Sequence, residues 1–389
     1  MIELLDITLI FVAILTLLSL LITVSNMRFL DALENTFDEE TFDQFDRFVS
    51  ILVPARNEEQ NIKICLRELM RQKYKPLEIL VLDDQSTDKT SETVQEIAKS
   101  DSRIRLILGK QLPSGWIGKN WACHQLSKEA KGDFLLFIDA DTILSPGSIL
   151  AAVLNTMRGG SSLLTVMPQR ISNCLLERLM FPFLDWASFC WLPMKKAHGS
   201  KNTHLSATFG QFMLFNRGVY NAIGGHEEIR GNPLDDFELG RATKKRGFQW
   251  ALFDGTDSVR VLPYKGNIDA FRGVSRSVFP AIYHRFSVLL VGSALLLGVG
   301  FLPILMLAMT FINDTEELMV LTVAASSIGI IALTWLIMCL RFHRSSVIVL
   351  FYPLAMGLMV LVAFHSMVTY RFGQTSWKNR NITNIRQNE

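Results

Sequence analysis

The chain has 389 residues, of which 49% are hydrophobic and 20% are charged, and this balance indicates membrane content. The formal net charge of +2 is too small to indicate nucleic-acid binding. The 5 cysteines form no CxxC pair and no metal-like spacing, which argues against a cysteine-based metal site and indicates reduced, partly buried thiols in a protein that faces the cytosol.

Four long apolar stretches predict transmembrane helices, and they cover residues 7–24, 286–312, 318–340 and 347–370. Since roughly 20 apolar residues cross the hydrocarbon core of a bilayer, each stretch is long enough to span it. The first stretch lacks a basic n-region and a small-residue cleavage site, so we expect residues 1–25 to be a retained anchor. The sequence therefore predicts a multi-pass protein of the cell membrane.

The charges of the loops predict its orientation. The loop NDTEE (313–317) is acidic and the loop RFHRSS (341–346) is basic, which places the second loop in the cytoplasm. Counting back, the long segment 25–285 is cytoplasmic too. Counting forward, four complete crossings leave the tail (371–389) outside, although it is basic. Either the tail breaks the positive-inside rule or one apparent span is re-entrant, and the sequence leaves both open.

Strands alternate with helices after the polar, acidic linker at residues 25–47. Hydrophobic patterns predict strands at 48–54, 77–84, 103–108 and 133–142, and helices at 57–72, 91–100 and 118–130. Each strand is apolar throughout, which predicts a parallel α/β sheet. Ligands of such sheets bind beyond the carboxyl ends of the strands.

Acidic residues stand at two of these strand ends. Asp83 and Asp84 end the second strand, and Asp139 and Asp141 end the fourth. We expect these carboxylates to face solvent rather than lie buried. Asp139 and Asp141 can both turn toward one divalent cation that bridges phosphate oxygens, and Mg²⁺ or Mn²⁺ prefers such oxygen ligands. A turn that merely caps the strand is the alternative.

Four motifs carry a resemblance to a known family. SILVPARNEEQNI, VLDDQSTDKT, FIDADT and LDDFELG resemble, in order and spacing, the motifs of the family 2 glycosyltransferases. The resemblance implies an inverting, metal-dependent hexosyltransferase with an α/β, Rossmann-like glycosyltransferase-A fold over residues 48–265, joined to transmembrane α-helices at 1–25 and 286–370. The stretch 112–142 is similar to membrane-bound carotenoid and hopanoid-associated glycosyltransferases and, more distantly, to ceramide glucosyltransferase.

The resemblance also implies the donor site. Several positions match the donor-site residues of the family. They correspond to the nucleotide cradle, the carboxylates beside the uracil and ribose, a basic residue near the donor and the metal–diphosphate pair, and they are Pro54, Ala55, Arg56, Glu58, Asp83, Asp84, Lys119, Asp139 and Asp141. Asp84 is the expected nucleoside acceptor, and Asp141 is the expected direct ligand of Mg²⁺ or Mn²⁺. The alternatives are a surface ion pair for Arg56 and Glu58, a helix cap for Asp83 and Asp84, and a solvated charge for Lys119.

An inverting transfer needs a carboxylate opposite the leaving diphosphate, where it takes the proton of the acceptor hydroxyl. The resemblance assigns this base to Asp236, with Asp235 as its partner; capping of the following helix is the alternative. We expect that helix to turn Phe237, Leu239 and Gly240 toward the sheet and its basic residues outward.

Three further positions suggest contacts with the acceptor or the diphosphate. Gln211 is expected to touch the sugar or acceptor. Arg272 and Arg276, in FRGVSRSVF, occupy the place of a Gln/Arg-x-x-Arg-Trp motif in processive members, but they are four apart and no Trp follows. Their helical spacing suits diphosphate or lipid headgroups, and the departure argues against a polymer synthase. For His226, a structural hydrogen bond is favoured over a role as a metal ligand.

The segment 175–196 is rich in aromatic residues and ends in two lysines, which predicts an interfacial helix beside the active site. A buried helix of the soluble domain is the alternative. The tail motif TSWKNR (375–380) resembles a segment that follows the last spans of the carotenoid and hopanoid relatives, and a role at the donor site would make the tail cytoplasmic.

Together these features predict single-sugar transfer from a UDP-sugar to a membrane lipid acceptor, with the catalytic domain in the cytoplasm. The acceptor would be a carotenoid, a hopanoid or another glycolipid precursor. The alternatives are a glycosyltransferase that acts on polyprenyl phosphate or forms a polysaccharide, and a catalytically silent membrane scaffold. A transporter is disfavoured because the spans carry almost no charge.

Overall fold

The computed structural model describes residues 2–33, 46–312, 318–378 and 380–381. The chain divides into two compact units. We call residues 30–171, 196–262 and 373–389 the α/β unit, and residues 1–29, 172–195 and 263–372 the helical unit. The acidic loop 313–317, most of the linker and the end of the tail lie outside the described residues.

The α/β unit is built on one sheet of eight strands. These strands are β1 Val49–Ala55, β2 Leu77–Asp83, β3 Ile104–Leu108, β4 Phe134–Phe137, β5 Thr142–Leu144, β6 Leu163–Arg170, β7 Met213–Asn216 and β8 Trp250–Val261. The helices between them are α2 Glu59–Met70, α3 Thr90–Ala98, α4 Gly118–Glu129, α5 Ser148–Gly159, α7 Met194–Gly199, α8 Arg217–Ala222, α9 Gly225–Glu228 and α10 Asp235–Lys245.

The sheet is parallel in its first half and mixed in its second. Its order is β3-β2-β1-β4-β7-β6-β8-β5. The pairs among β1, β2, β3 and β4 are parallel, as the sequence predicts, whereas β7 runs antiparallel to both β4 and β6. The expectation of a wholly parallel sheet is therefore wrong, because the later strands join through β7 in the opposite direction.

The core of this unit forms where apolar strands meet amphipathic helices. In α2, Ile62, Cys65, Leu66 and Leu69 recur at helical spacing and are all fully buried. Burying one such side chain stabilises the fold by about 1.5–3 kcal/mol. The predicted elements from residue 48 to residue 137 are thus confirmed, and they hold the carboxyl ends of β1, β2 and β4 in fixed positions.

The helical unit contains the four predicted apolar helices. Its helices are α1 Ile2–Phe29, α6 Leu175–Trp191, α11 Asn267–Ala281, α12 Phe286–Ile312, α13 Leu318–Arg341 and α14 Tyr352–Arg371, the last preceded by a 3-10 helix at Ser346–Phe351. Four segments are long and apolar enough to cross a membrane: Asp6–Phe29, Phe286–Ile312, Leu318–Arg341 and Ser346–Arg371.

Helix α6, the predicted interfacial segment, belongs to this helical unit. Trp186 is buried, stacks on Trp335 with ring centroids 5.5 Å apart and donates its indole N–H to Thr334. Asp185 forms a buried ion pair with Arg344 at 2.6 Å. The segment therefore packs with the apolar helices, and the alternative of a helix buried in the soluble domain does not describe it.

Candidate active site

Three neighbouring strands bring the motif residues to one edge of the sheet. β1 lies between β2 and β4 and is parallel to both, so the loops that follow these strands start side by side. Arg56 follows β1, Asp84 follows β2, and Asp139 lies two residues beyond β4. Pro54 and Ala55 form the end of β1 itself, where the Asp84 amide donates to the Ala55 carbonyl at 2.8 Å.

Lys119 joins two parts of the site. Its Nζ is 2.9 Å from Asp139 Oδ1 and 3.1 Å from Asp235 Oδ2. Burial alone would lower the pKa of Lys119, but the two carboxylates outweigh burial and raise this pKa well above its usual value. The amine is therefore a fixed positive charge. The alternative of a solvated charge is wrong for Lys119, because its side chain is 23% exposed and holds two ion-pair partners.

Asn120 helps to position the Lys119 amine, although nothing in the sequence indicates this role. Asn120 is buried, and its amide nitrogen lies 2.9–3.2 Å from three carbonyl oxygens of the loop 229–232. This loop leads directly into α10, which begins at Asp235. The contact therefore ties the start of α4, with Lys119, to the start of the helix that carries the proposed base.

Asp236 is oriented by backbone donors. The Gly210 amide donates to its Oδ2 at 3.1 Å, and the Phe237 amide donates to its Oδ1 at 2.8 Å. Burial, followed by the negative charge of Asp235, raises the pKa of Asp236 to about 7. A carboxylate with this pKa is matched to proton transfer near neutral pH.

Gly210 also lies close to Lys119, which the sequence did not suggest. A Cβ added there would lie 3.4 Å from the Asp236 Cβ and 3.5 Å from the Lys119 Nζ. These are ordinary van der Waals distances, so the backbone at Gly210 lies close to both groups without requiring glycine there. Gln211 follows Gly210 directly and is half-buried; its expected contact with the sugar or acceptor stays a prediction.

His226 has the structural role that was favoured for it. Its Nδ1 is 2.7 Å from the hydroxyl of Tyr220, and burial lowers the pKa of the imidazole to about 3. The ring is therefore neutral at physiological pH. Its Nε2 lies 4.0 Å from Asp235 Oδ2, so His226 packs behind the Asp235 carboxylate.

Asp139 and Asp141 fit a divalent cation in their chemistry. Asp141 Oδ1 is buried and has no hydrogen-bond partner among the described residues. Burial, and then the charges of Asp139 and Glu58, raise the pKa of Asp141 to about 8. A cation would satisfy the unpaired oxygen and offset the excess negative charge. No group of three His, Cys, Asp or Glu side chains in the described part of the chain is placed to hold a metal, so a bound cation would also need diphosphate oxygens or water.

Asp83 and Asp84 are buried, and the expectation that they face solvent is wrong. Asp83 accepts hydrogen bonds from the Ser86 amide at 3.1 Å and from the Ser91 hydroxyl at 2.6 Å, and neither donor is a backbone amide of α3, so these bonds do not make Asp83 the cap of that helix. Asp84 instead pairs with Arg380 of the tail at 2.5 Å. The two neighbouring acids therefore have different tasks.

The tail motif reaches the same edge of the sheet. Lys378 Nζ is 2.8 Å from Glu58 Oε1, and Arg56 Nε donates to the Lys378 carbonyl at 3.3 Å. The surface ion pair considered for Arg56 and Glu58 is not formed: Glu58 pairs with Lys378, and Arg56 Nη1 donates to the carbonyls of Asp84 and Gln85.

Arg272 and Arg276 lie on α11 in the helical unit, one helical turn apart. Arg272 is exposed and Arg276 is half-buried. Their expected contact with diphosphate or headgroups stays a prediction.

Comparison with known proteins identifies the α/β unit. The sequence profile of the family described as Glycosyl transferase family 2 matches residues 50–224. The chain is 26% identical over 237 residues to a 4,4'-diaponeurosporenoate glycosyltransferase of Staphylococcus haemolyticus, a match that covers 59% of this chain and 60% of the relative. It is 27% identical over 224 residues to the enzyme of the same name from Staphylococcus aureus, covering 56% of each. The chain thus spans somewhat more than half the length of these curated relatives.

A solved structure shares the fold. A mannosyltransferase of Pyrobaculum calidifontis, in complex with GDP-Man and Mn²⁺, superposes with a TM-score of 0.55 and 17% identity, over 94% of this chain and 99% of that one. This likeness confirms the glycosyltransferase-A-like architecture of the mixed α/β sheet.

Proposed function

Since the chain belongs to glycosyl transferase family 2 through residues 50–224, we propose that it transfers a single sugar from a UDP-sugar to a membrane lipid, with inversion at the anomeric carbon. The observation that carries the proposal is the position of Lys119 between Asp139 and Asp235. The Lys119 amine contacts Asp139, one of the acids suited to a metal–diphosphate complex, and Asp235, the partner of the proposed base. A transfer requires the donor and the acceptor to meet, and this amine holds the acids for the donor beside the acids for the acceptor.

On the donor side, Asp139 and Asp141 would hold Mg²⁺ or Mn²⁺. The cation would stabilise negative charge on the leaving diphosphate. Lys119 would hold the Asp139 carboxylate in place and add positive charge near the same phosphates. Asp84 would accept hydrogen bonds from the nucleoside, and Arg56 and Glu58 would line the loop around it.

On the acceptor side, Asp236 would take the proton of the acceptor hydroxyl as the new glycosidic bond forms. The two amides that hold its carboxylate fix the direction from which the acceptor approaches. Asp235 stays ionised, because the charge of Lys119 outweighs its burial and lowers its pKa. Its negative charge helps to keep Asp236 basic enough for this step.

The proposal of a lipid acceptor is supported by two observations. In the described part of the chain, four helices are apolar and long enough to cross a bilayer. The relatives from both Staphylococcus species glycosylate 4,4'-diaponeurosporenoate. A carotenoid, a hopanoid or another glycolipid precursor would present its polar group at the membrane surface. A water-soluble donor would then meet a membrane-resident acceptor at the site.

The tail favours a re-entrant or interfacial segment over four complete crossings. Lys378 and Arg380 of the tail contact the loops after β1 and β2, so the tail would lie on the same side of the membrane as the catalytic domain. The chain between residues 263 and 373 must then cross an even number of times. We propose that α14 is the helix that does not cross, since it packs against α11 and bonds to it through Ser275–His365 at 2.9 Å. The positive-inside pattern would place both ends of this helix in the cytoplasm.

The other candidate functions have less support. A catalytically silent scaffold would not need an Asp236 held by two amides with a pKa of about 7. A polymer-forming enzyme is disfavoured by the missing Trp after Arg276. Transfer to a polyprenyl phosphate remains within the proposed lipid class.

The test uses the full-length protein purified in detergent, a panel of UDP-sugars and a total lipid extract. We expect a divalent-cation-dependent increase in UDP release when lipid is added, and one lipid species heavier by a single sugar in mass spectrometry. A rate of UDP release that does not increase when lipid is added, or products that carry several sugars, would contradict single-sugar transfer to a lipid.

A further inference from the structure

The described part of the tail ends in a small hairpin. Residues 376–377 pair antiparallel with residues 380–381, and we call these two segments, with Lys378, the tail hairpin. Lys378 adopts a left-handed conformation (φ 47°) at the turn, which is uncommon for a residue other than glycine. Since so short a strand pair is not stable by itself, its position depends on contacts with the rest of the α/β unit.

These contacts fall on the loops after β1 and β2. Arg380 binds Asp84 Oδ2 at 2.5 Å and Gln85 Oε1 at 2.9 Å. Lys378 binds Glu58 at 2.8 Å and the Asn57 carbonyl at 3.1 Å. The hairpin therefore lies on the loops to which we assign the nucleoside end of the donor.

The contact with Arg380 blocks the Asp84 carboxylate, which the nucleoside would need as a hydrogen-bond acceptor. The side chain of Asp84 is 2% exposed, one of its oxygens is held by Arg380, and the other is buried without a hydrogen-bond partner among the described residues. A donor group of a nucleoside can reach this carboxylate only after the guanidinium has moved. The hairpin and the ligand thus compete for one acceptor.

The hairpin is anchored in a way that permits release. Its two ion pairs join long, flexible side chains that keep some contact with water: Lys378 is 29% exposed and Arg380 is 16% exposed. The Lys378–Glu58 pair is partly solvated, and such pairs contribute modestly to stability. The Arg380–Asp84 pair is more buried, so Arg380 can leave only when the ligand itself supplies a partner to Asp84. A charged ligand that offers new partners to both loops can therefore displace the hairpin.

We propose that the tail hairpin is an autoinhibitory element of the donor site, which Arg380 closes by pairing with Asp84 until a nucleoside diphosphate displaces it. This inference rests on the proposed function, because it takes Asp84 as the nucleoside acceptor. It gives the tail a task that depends on its lying on the same side of the membrane as the catalytic domain.

The first test measures nucleotide binding by isothermal titration calorimetry of the full-length protein in detergent, with UDP and GDP as probes. Removing a competitor raises apparent affinity by the ratio of closed to open states, so we expect Arg380→Ala to bind UDP about five- to tenfold more tightly. Arg380→Lys keeps the charge and should lie close to wild type. Arg105→Ala, which removes an exposed ion pair with Glu129 elsewhere in this unit, is the matched control and should bind as wild type does.

Equal or weaker binding by Arg380→Ala, when the wild type does bind UDP or GDP, would overturn the autoinhibitory hairpin and leave the proposed function intact. Failure of the wild type and of the variant to bind either nucleotide would refute the proposed function, and the hairpin proposal with it.

The second test reports on the hairpin itself, and its main comparison, with and without UDP, leaves both tail ion pairs in place. Thr375, which precedes the hairpin, is 4% exposed, so a Thr375→Cys thiol should react slowly with a water-soluble maleimide. We expect saturating UDP to increase the labelling rate severalfold, and Arg380→Ala to increase it without any nucleotide. The chain without the new cysteine gives the background of the native thiols. A rate that UDP leaves unchanged or slows would overturn the proposal, since a slower rate would mean that the hairpin closes over the nucleotide.

Discussion

Replacing Asp236 with asparagine removes the proposed base while changing one atom of the side chain. Loss of a general base costs about 10²–10⁴-fold in rate, which corresponds to roughly 2.7–5.5 kcal/mol in the activation barrier. Asparagine can accept only one of the two hydrogen bonds that the Gly210 and Phe237 amides now donate. The lost hydrogen bond costs about 1–3 kcal/mol of folding stability, and removing a buried charge whose pKa is raised offsets part of that cost. Transfer should fall by at least two orders of magnitude.

The assay compares lipid glycosylation, UDP release and UDP affinity in the same preparation. UDP affinity should change by less than about twofold, because the proposed role of Asp236 is toward the acceptor and not toward the nucleotide. Glu238→Gln, which alters the carboxylate that pairs with Arg241 on the same helix, is the matched control and should keep full transfer. Transfer above a tenth of the wild-type rate in Asp236→Asn would remove Asp236 from the role of base.

Three further predictions follow from the charges of the site and from the tail. A base works in its deprotonated form, so transfer should fall about tenfold per pH unit below the Asp236 pKa of about 7, and a pH–rate profile with no acidic limb would contradict this. Lys119→Met leaves Asp139 and Asp235 without their counter-charge. With the partial exposure of the Lys119 side chain taken into account, this change should lower the unfolding free energy by about 1–3 kcal/mol. A thermal-shift assay should show a clear loss of Tm relative to Lys119→Arg. A cysteine added at the C-terminus should be labelled from the same side of sealed vesicles as Lys99→Cys, an exposed position just after α3, and labelling from opposite sides would show that the tail does not reach the catalytic domain.

The first half of the catalytic fold could be predicted from the sequence because its signals are local. The apolar strand at residues 49–55 and the spacing of Ile62, Leu66 and Leu69 each specify an element without reference to the rest of the chain. The positions of Asp139 and Asp141 at the sheet edge follow from the same rule, since parallel strands end at a common edge.

The remainder depends on contacts between distant residues. Asp84 is buried and pairs with Arg380, almost 300 residues later, and no pattern near either residue indicates the pair. Asn120 looked like one more polar residue of a helix, although it holds Lys119 beside Asp235. In α10, Leu239 and Gly240 are buried as predicted.

The same helix also shows how tertiary contacts override an amphipathic pattern. Phe237 is 39% exposed, against the expectation that it faces the sheet. Lys244, expected to point outward, is buried because its amine binds the carbonyls of Ala197 and Leu205. Helical periodicity alone could not reveal these carbonyls.

The central claim is that Asp139 and Asp141 bind a nucleoside diphosphate together with a divalent cation. The most direct measurement is UDP binding by calorimetry to the full-length protein, with Mg²⁺ or Mn²⁺ and after removal of metal by EDTA. We expect EDTA to weaken UDP binding by at least about tenfold. The variant carrying both Asp139→Ala and Asp141→Ala should bind UDP weakly whether or not metal is present. Equal UDP affinity in all four conditions would contradict the claim.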